Sequence, residues 1–162
     1  MKLTKQNKIL LYTGAGVLLL LILKKVNDKF KLFDKVFKRT IPFGNRINPV
    51  TKQPQFHNGV DYATPTGTPL LSAFDGLIGA KEDSVNGKQV TITSPKLNLR
   101  IIYNHLSEIK VKPGQVVKKG QIIGLSGNTG RSTGPHLHLS LYDIKAKKYI
   151  NPEPFIINSL ST

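Results

Sequence analysis

The chain holds four histidines, and all four fall in three short motifs. His57 opens His57-Asn58-Gly59-Val60-Asp61. His105 lies in Ile101-Ile102-Tyr103-Asn104-His105-Leu106, and the pair His136-Leu137-His138 follows a glycine-rich stretch. Neutral imidazoles joined by one carboxylate make a common zinc ligand set, and histidines outside such a set serve as acid or base near neutral pH. Cysteine is absent, so disulfides and thiolate sites are excluded and any metal falls to His, Asp, Glu or Asn.

The spacing sets conditions on the backbone. In an extended strand the Cα atoms of His57 and Asp61 would stand about 13 Å apart, too far for bonds of about 2.0–2.2 Å to one zinc. The pair can meet a shared ion only if the chain turns at Asn58-Gly59. His136 and His138 are two apart, so in a strand both imidazoles face one side while Leu137, Leu139 and Leu141 face the other. Alternation also puts Tyr103 on the face of His105, where its hydroxyl would either donate to a substrate carbonyl or simply pack. The run Gly124-Leu125-Ser126-Gly127-Asn128-Thr129-Gly130 lacks the Gly-Lys-Ser/Thr end of a phosphate loop and no helical pattern follows it, so it reads as a turn that sets the next strand.

Strands are the elements that must hold these residues. From residue 41 onward Pro and Gly punctuate short β-rich runs at 68–74, 76–80, 88–94, 99–104, 121–125 and 136–142, with turn dipeptides at Asp75-Gly76, Asn86-Gly87, Pro113-Gly114 and Lys119-Gly120. The expected fold is mainly β: an antiparallel sheet or sandwich-like domain over 41–152, preceded by an N-terminal hydrophobic helix and followed by a surface tail at 153–162. Within 1–40, Ile9 to Leu23 runs fifteen residues without charge, bracketed by Lys8 and Lys24-Lys25. A helix of that length rises roughly 22 Å, short of the ~30 Å hydrocarbon core, though snorkelling lysines and local thinning allow a short span. No small-x-small cleavage pattern follows, which favours an uncleaved anchor over a signal peptide. Val26, Phe30, Phe33 and Phe37 then recur at helical spacing in a basic linker.

Charge bears on partners. Lys and Arg number 24 against 9 acidic residues, a net charge of +15. This suits a polyanion or an acidic wall polymer, but no basic stripe interleaved with aromatics appears beyond the N-terminal region, so nucleic acid is not the expected partner. Three lysines precede the apolar run and seven basic residues follow it within 24–39. The positive-inside rule would put the second flank in the cytoplasm. A wall-side domain requires the opposite, and packaging in a phage virion is one way out of the conflict.

Taken together, the motifs resemble the M23 zinc metallopeptidases, the lysostaphin- and LytM-like peptidoglycan endopeptidases. The resemblance spans about residues 41–152. It runs from Phe43-Gly44-Asn45-Arg46 through His57-Asn58-Gly59-Val60-Asp61 and Tyr103-Asn104-His105-Leu106 to Gly127-Asn128-Thr129-Gly130-Arg131-Ser132-Thr133-Gly134-Pro135-His136-Leu137-His138. It implies one zinc held by His57, Asp61 and His138, with His105 and His136 as catalytic histidines outside the metal shell and Asn45, Arg46 and Tyr103 as substrate-binding candidates. It implies hydrolysis of peptide bonds in the stems or bridges of peptidoglycan; joined to the apolar run, this gives the expectation of a cell-envelope enzyme tethered through 9–23, or a virion component. The family often has His where Asn48 stands. The alternative is a non-catalytic wall-binding or structural protein that retains the peptidase fold.

Overall fold

The computed structural model describes residues 37–48 and 51–160; side chains are described as far as Ile156. The apolar run at 9–23 and most of the expected linker helix lie outside the described residues. Among the described residues no helix is long and apolar enough to cross a membrane.

Thirteen strands and one helix are described. They are β1 (Lys38–Ile41), β2 (Gly44–Ile47), β3 (Pro54–His57), β4 (Val60–Ala63), β5 (Pro69–Leu71), β6 (Gly76–Asp83), β7 (Gly87–Ser94), β8 (Leu99–Leu106), β9 (Glu108–Ile109), β10 (Val116–Val117), β11 (Ile122–Leu125), β12 (His136–Asp143), β13 (Lys148–Ile150) and α1 (Glu153–Leu160). One sheet runs β1-β4-β12-β8-β7-β6-β10, with β13 also on β12; a second runs β5-β11-β9, and β2-β3 form a separate hairpin. The pairings are antiparallel, as the short runs and tight turns predict.

Alternation builds the core. Val90 and Ile92 on β7, Ile101 and Tyr103 on β8, and Leu137, Leu139 and Leu141 on β12 are buried in one cluster with Leu70 of β5 and Ile123 of β11. The larger sheet therefore packs its apolar face against the smaller one. Tyr103 ties the two together: its hydroxyl donates to Leu71 O at 3.0 Å and accepts from Ala73 N–H at 3.1 Å.

Two boundaries differ from the sequence expectation. Lys38–Thr40, expected in the linker helix, are strand, paired with β4 through Lys38↔Ala63 and Arg39↔Tyr62. A free edge on β4 offers ladder partners that outweigh the local helical period. The expected surface tail instead begins with α1, whose Ile156 is buried in the core. Asn151 Oδ1 accepts the Glu153 N–H at 3.1 Å, satisfying a donor at the helix start, and Glu153 pairs with Arg39 of β1 at 3.0 Å.

Leu141 is fully buried on β12, whereas Leu77 is 48% exposed. Leu141→Ala is expected to lower unfolding free energy by about 2–5 kcal/mol in urea titrations, and Leu77→Ala by about 0.5 kcal/mol or less.

Candidate active site

The first motif turns where the spacing requires it. β3 ends at His57 and β4 begins at Val60, so Asn58-Gly59 makes the corner. Gly59 is needed there: a β-carbon would lie 2.6 Å from Leu139 O, 2.7 Å from Ser140 Oγ and 2.8 Å from His138 Nε2. Asp61 then faces His138 directly across the β4–β12 ladder. Thr40 of β1 donates to Asp61 O at 3.1 Å and holds that strand from the other side.

Three donor atoms converge. His57 Nε2 lies 3.1 Å from His138 Nδ1 and 3.2 Å from Asp61 Oδ1, and His138 Nδ1 lies 2.7 Å from Asp61 Oδ1. Tetrahedral zinc with bonds of about 2.0–2.1 Å needs neighbouring donors about 3.3 Å apart. The three separations approach that value, so an ion would need only a small spreading of the cluster. The opposite ring atoms agree. Pro42 O, 2.8 Å from His57 Nδ1, can only accept, so Nδ1 carries the proton and Nε2 is the free lone pair. Ser140 Oγ, 2.9 Å from His138 Nε2, can take a proton there and free Nδ1 for a metal. Burial pushes the Asp61 carboxyl up, but hydrogen bonds and charge from His138 and His57 outweigh it and hold it well below the usual carboxylate range. The site thus offers two imidazoles and an anion, and three protein donors leave one tetrahedral position open.

The other two histidines stand beside this cluster. The His105 and His136 ring centroids are 4.7 Å apart, and His105 is 6.3 Å from His138. His105 Nδ1 donates to Thr129 O at 2.8 Å. His136 Nδ1 donates to Gly134 O at 2.8 Å, with Ser132 Oγ at 3.0 Å. Each ring keeps Nε2 as its remaining polar atom. Burial pushes the His105 pKa down, and the neighbouring His136 and His138 add to this against the opposing Thr129 carbonyl.

Strand alternation does not explain how His105 arrives there. On β12, Leu139 lies opposite Tyr103 and His138 opposite Asn104, so regular pleating would turn His105 into the core with Tyr103. Between β7 and β8 the register jumps from Val90↔Tyr103 to Lys88↔Leu106, so Gln89 alone opposes both Asn104 and His105. His105 has φ 64°, a left-handed conformation that costs about 1–2 kcal/mol for a residue with a β-carbon. This bulge re-aims the side chain to the face of His136 and His138. Tyr103 stays in the core, 3% exposed, with its hydroxyl on the backbone of residues 71 and 73. Burial drives the Tyr103 pKa well above that of an ordinary tyrosine, and the hydroxyl's hydrogen bonds go to core backbone rather than to the face of the histidines.

Asn45 and Arg46 lie on β2, in the hairpin that carries His57. Asn45 is exposed. Arg46 Nη2 donates to Gln55 Oε1 at 3.2 Å, while its Nε is buried with no hydrogen-bond partner among the described residues. The sequence reading missed Ser140, although it continues the His136, His138 alternation onto the same face. A separate apolar cavity of about 180 Å3, lined by Tyr62, Leu70, Leu137 and Leu139 among others, lies on the core face of β4 and β12, behind the histidines.

Comparison with known proteins places this geometry. A family model described as Peptidase family M23 matches residues 55–152. The peptidoglycan DD-endopeptidase ShyA of Vibrio cholerae is 46% identical over 96 residues, which cover 59% of this chain and 22% of that protein. The crystallised catalytic domain of the prophage-encoded M23 protein EnpA from Enterococcus faecalis, a point mutant, is 38% identical with a TM-score of 0.63; the match covers 72% of this chain and 89% of that one. The catalytic domain of lysostaphin from Staphylococcus simulans is 34% identical with a TM-score of 0.66, covering 74% and 92%. The chain spans about a quarter of the length of the curated relatives it matches, 28% and 22% for two of them.

Ser140 supplies a test of the donor geometry. Ser140→Ala removes the acceptor for His138 Nε2–H and is expected to weaken zinc binding about 10- to 100-fold. Competition with a zinc chelator measures this, with circular dichroism unchanged.

Proposed function

The chain belongs to peptidase family M23, and from that premise we propose that it is a zinc-dependent endopeptidase that hydrolyses peptide bonds in the stems or bridges of bacterial peptidoglycan. The observation that carries this reading is the convergence of His57 Nε2, Asp61 Oδ1 and His138 Nδ1 within about 3 Å of one another, beside two further histidines. The relatives support the substrate, since ShyA is named a peptidoglycan DD-endopeptidase and lysostaphin an antimicrobial peptidase.

His57, Asp61 and His138 would hold one zinc. Bound there, the ion supplies Lewis acidity, polarising a peptide carbonyl and making water a nucleophile near neutral pH. The protein does the remaining work. His105, held neutral at pH 7 by burial, takes a proton at Nε2, because its Nδ1 is committed to Thr129 O. His136 Nε2 lies on the same side and stabilises developing negative charge or delivers a proton to the leaving amine. Half-buried Arg46 and exposed Asn45, on the hairpin that leads into His57, would bind polar groups of the wall peptide. The domain would act on the wall side of the envelope, tethered through residues 9–23, or within a virion.

Mass spectrometry of fragments released from purified peptidoglycan tests the reading and identifies the bond. His57→Ala and His138→Ala should lose both zinc and activity. His105→Ala and His136→Ala should retain zinc and lose about 100-fold or more in rate. Zinc bound by the parent protein with no fragment released would instead favour a non-catalytic wall-binding role.

Activity of the parent should also be lost on the acid side. His105 must be neutral to accept a proton, and its pKa lies below the ordinary value of about 6.5. The acid limb of the rate profile is therefore expected below about pH 6.5; an acid limb well above that value would contradict His105 as the base.

A further inference from the structure

We propose that Thr129 is a positioning residue for His105, its hydroxyl holding the β7–β8 bulge and its carbonyl fixing which ring nitrogen carries the proton. This rests on the reading of His105 as a proton-transfer residue and adds the device that aims it. Thr129 lies in the glycine-rich stretch, outside β7 and β8, yet it reaches into the ladder between them. Its Oγ1 accepts the Lys88 N–H at 3.0 Å and donates to Leu106 O at 2.7 Å. Lys88 and Leu106 are the pair at which the register resumes after the bulge. One side chain thus bridges both strands at the end of the irregular segment, while its own carbonyl accepts from His105 Nδ1–H at 2.8 Å.

The approach is built into the backbone. Gly87 and Gly130 have φ of 63° and 72°. A β-carbon on Gly87 would fall on Thr129, and one on Gly130 would fall on the backbone of Gly87. Only glycines let the two segments come this close. Asn86 O completes the clamp by accepting the His105 N–H at 2.9 Å. The left-handed turn of His105 is therefore gripped at its main chain by Asn86 and at its ring by Thr129. A residue that only filled space here would need neither a hydroxyl bonded to both strands nor a carbonyl on the imidazole.

Thr129→Val keeps the shape and removes both hydroxyl bonds, whereas Thr129→Ser keeps the bonds. The readout is the 15N chemical shifts of His105 in the labelled full chain at roughly pH 9, where the ring is neutral. The parent and Thr129→Ser should show protonated Nδ1 and bare Nε2; Thr129→Val should lose that preference. Release of fragments from purified peptidoglycan at saturating wall should fall about 10- to 100-fold in Thr129→Val. The wall concentration giving half the maximal rate should change little, and Thr129→Ser should restore the rate. A Thr129→Val protein that keeps the parent tautomer overturns the proposal whatever its rate. If that variant does not fold, Gly87→Ala, which displaces Thr129 without altering it, is read the same way. Full activity in His105→Ala would sink the catalytic reading of His105 and leave the tautomer comparison to decide the role of Thr129.

Discussion

Asp61 and His138 face each other across the β4–β12 ladder, and the position of every other functional group is referred to that register. A slip of one residue would bring Tyr62 or Leu137 into the donor cluster and drive a charged group into the core. The apolar side of the same strands prevents it. Tyr62, Leu137, Leu139 and Leu141 are buried, so moving either strand by one position would expose these side chains to water. Burial of each contributes about 1.5–3 kcal/mol. Core packing and donor geometry are thus two faces of one constraint.

Within that frame the main chain sets the protonation pattern. Carbonyls of Pro42, Thr129 and Gly134 each accept from an Nδ1–H, of His57, His105 and His136 respectively. All three rings therefore present Nε2. His138 is turned the other way, with Nδ1 toward Asp61 and Nε2 toward the Ser140 hydroxyl. Three of the four rings are therefore bonded directly to main-chain carbonyls, and the fourth to a side-chain hydroxyl. This explains why glycines crowd the site: Gly59 lets the first corner approach β12, and Gly87 and Gly130 let the Thr129 segment approach His105.

Much of this arrangement is legible in the sequence where side-chain period and backbone agree. The alternation His136-Leu137-His138-Leu139 specifies a strand with a polar and an apolar face, and Asn58-Gly59 marks the corner that the His57–Asp61 spacing demands. The reading fails where tertiary contacts override local pattern. Nothing about a histidine after Tyr-Asn announces a left-handed φ, so simple alternation wrongly pairs His105 with Tyr103. The helical period of Val26, Phe30, Phe33 and Phe37 leads into Lys38, yet the open edge of β4 draws Lys38–Ile41 into the sheet. Ring tautomers are invisible because they depend on carbonyls from residues 15, 24 and 2 positions away.

The central claim is that one zinc joins His57, Asp61 and His138 through defined atoms. An anomalous difference map at the zinc edge, from crystals of the metal-loaded protein, tests it most directly. One peak is expected within about 2.0–2.2 Å of His57 Nε2, Asp61 Oδ1 and His138 Nδ1. A peak bound through His138 Nε2, or zinc density elsewhere with these three atoms still bonded to one another, would contradict the account.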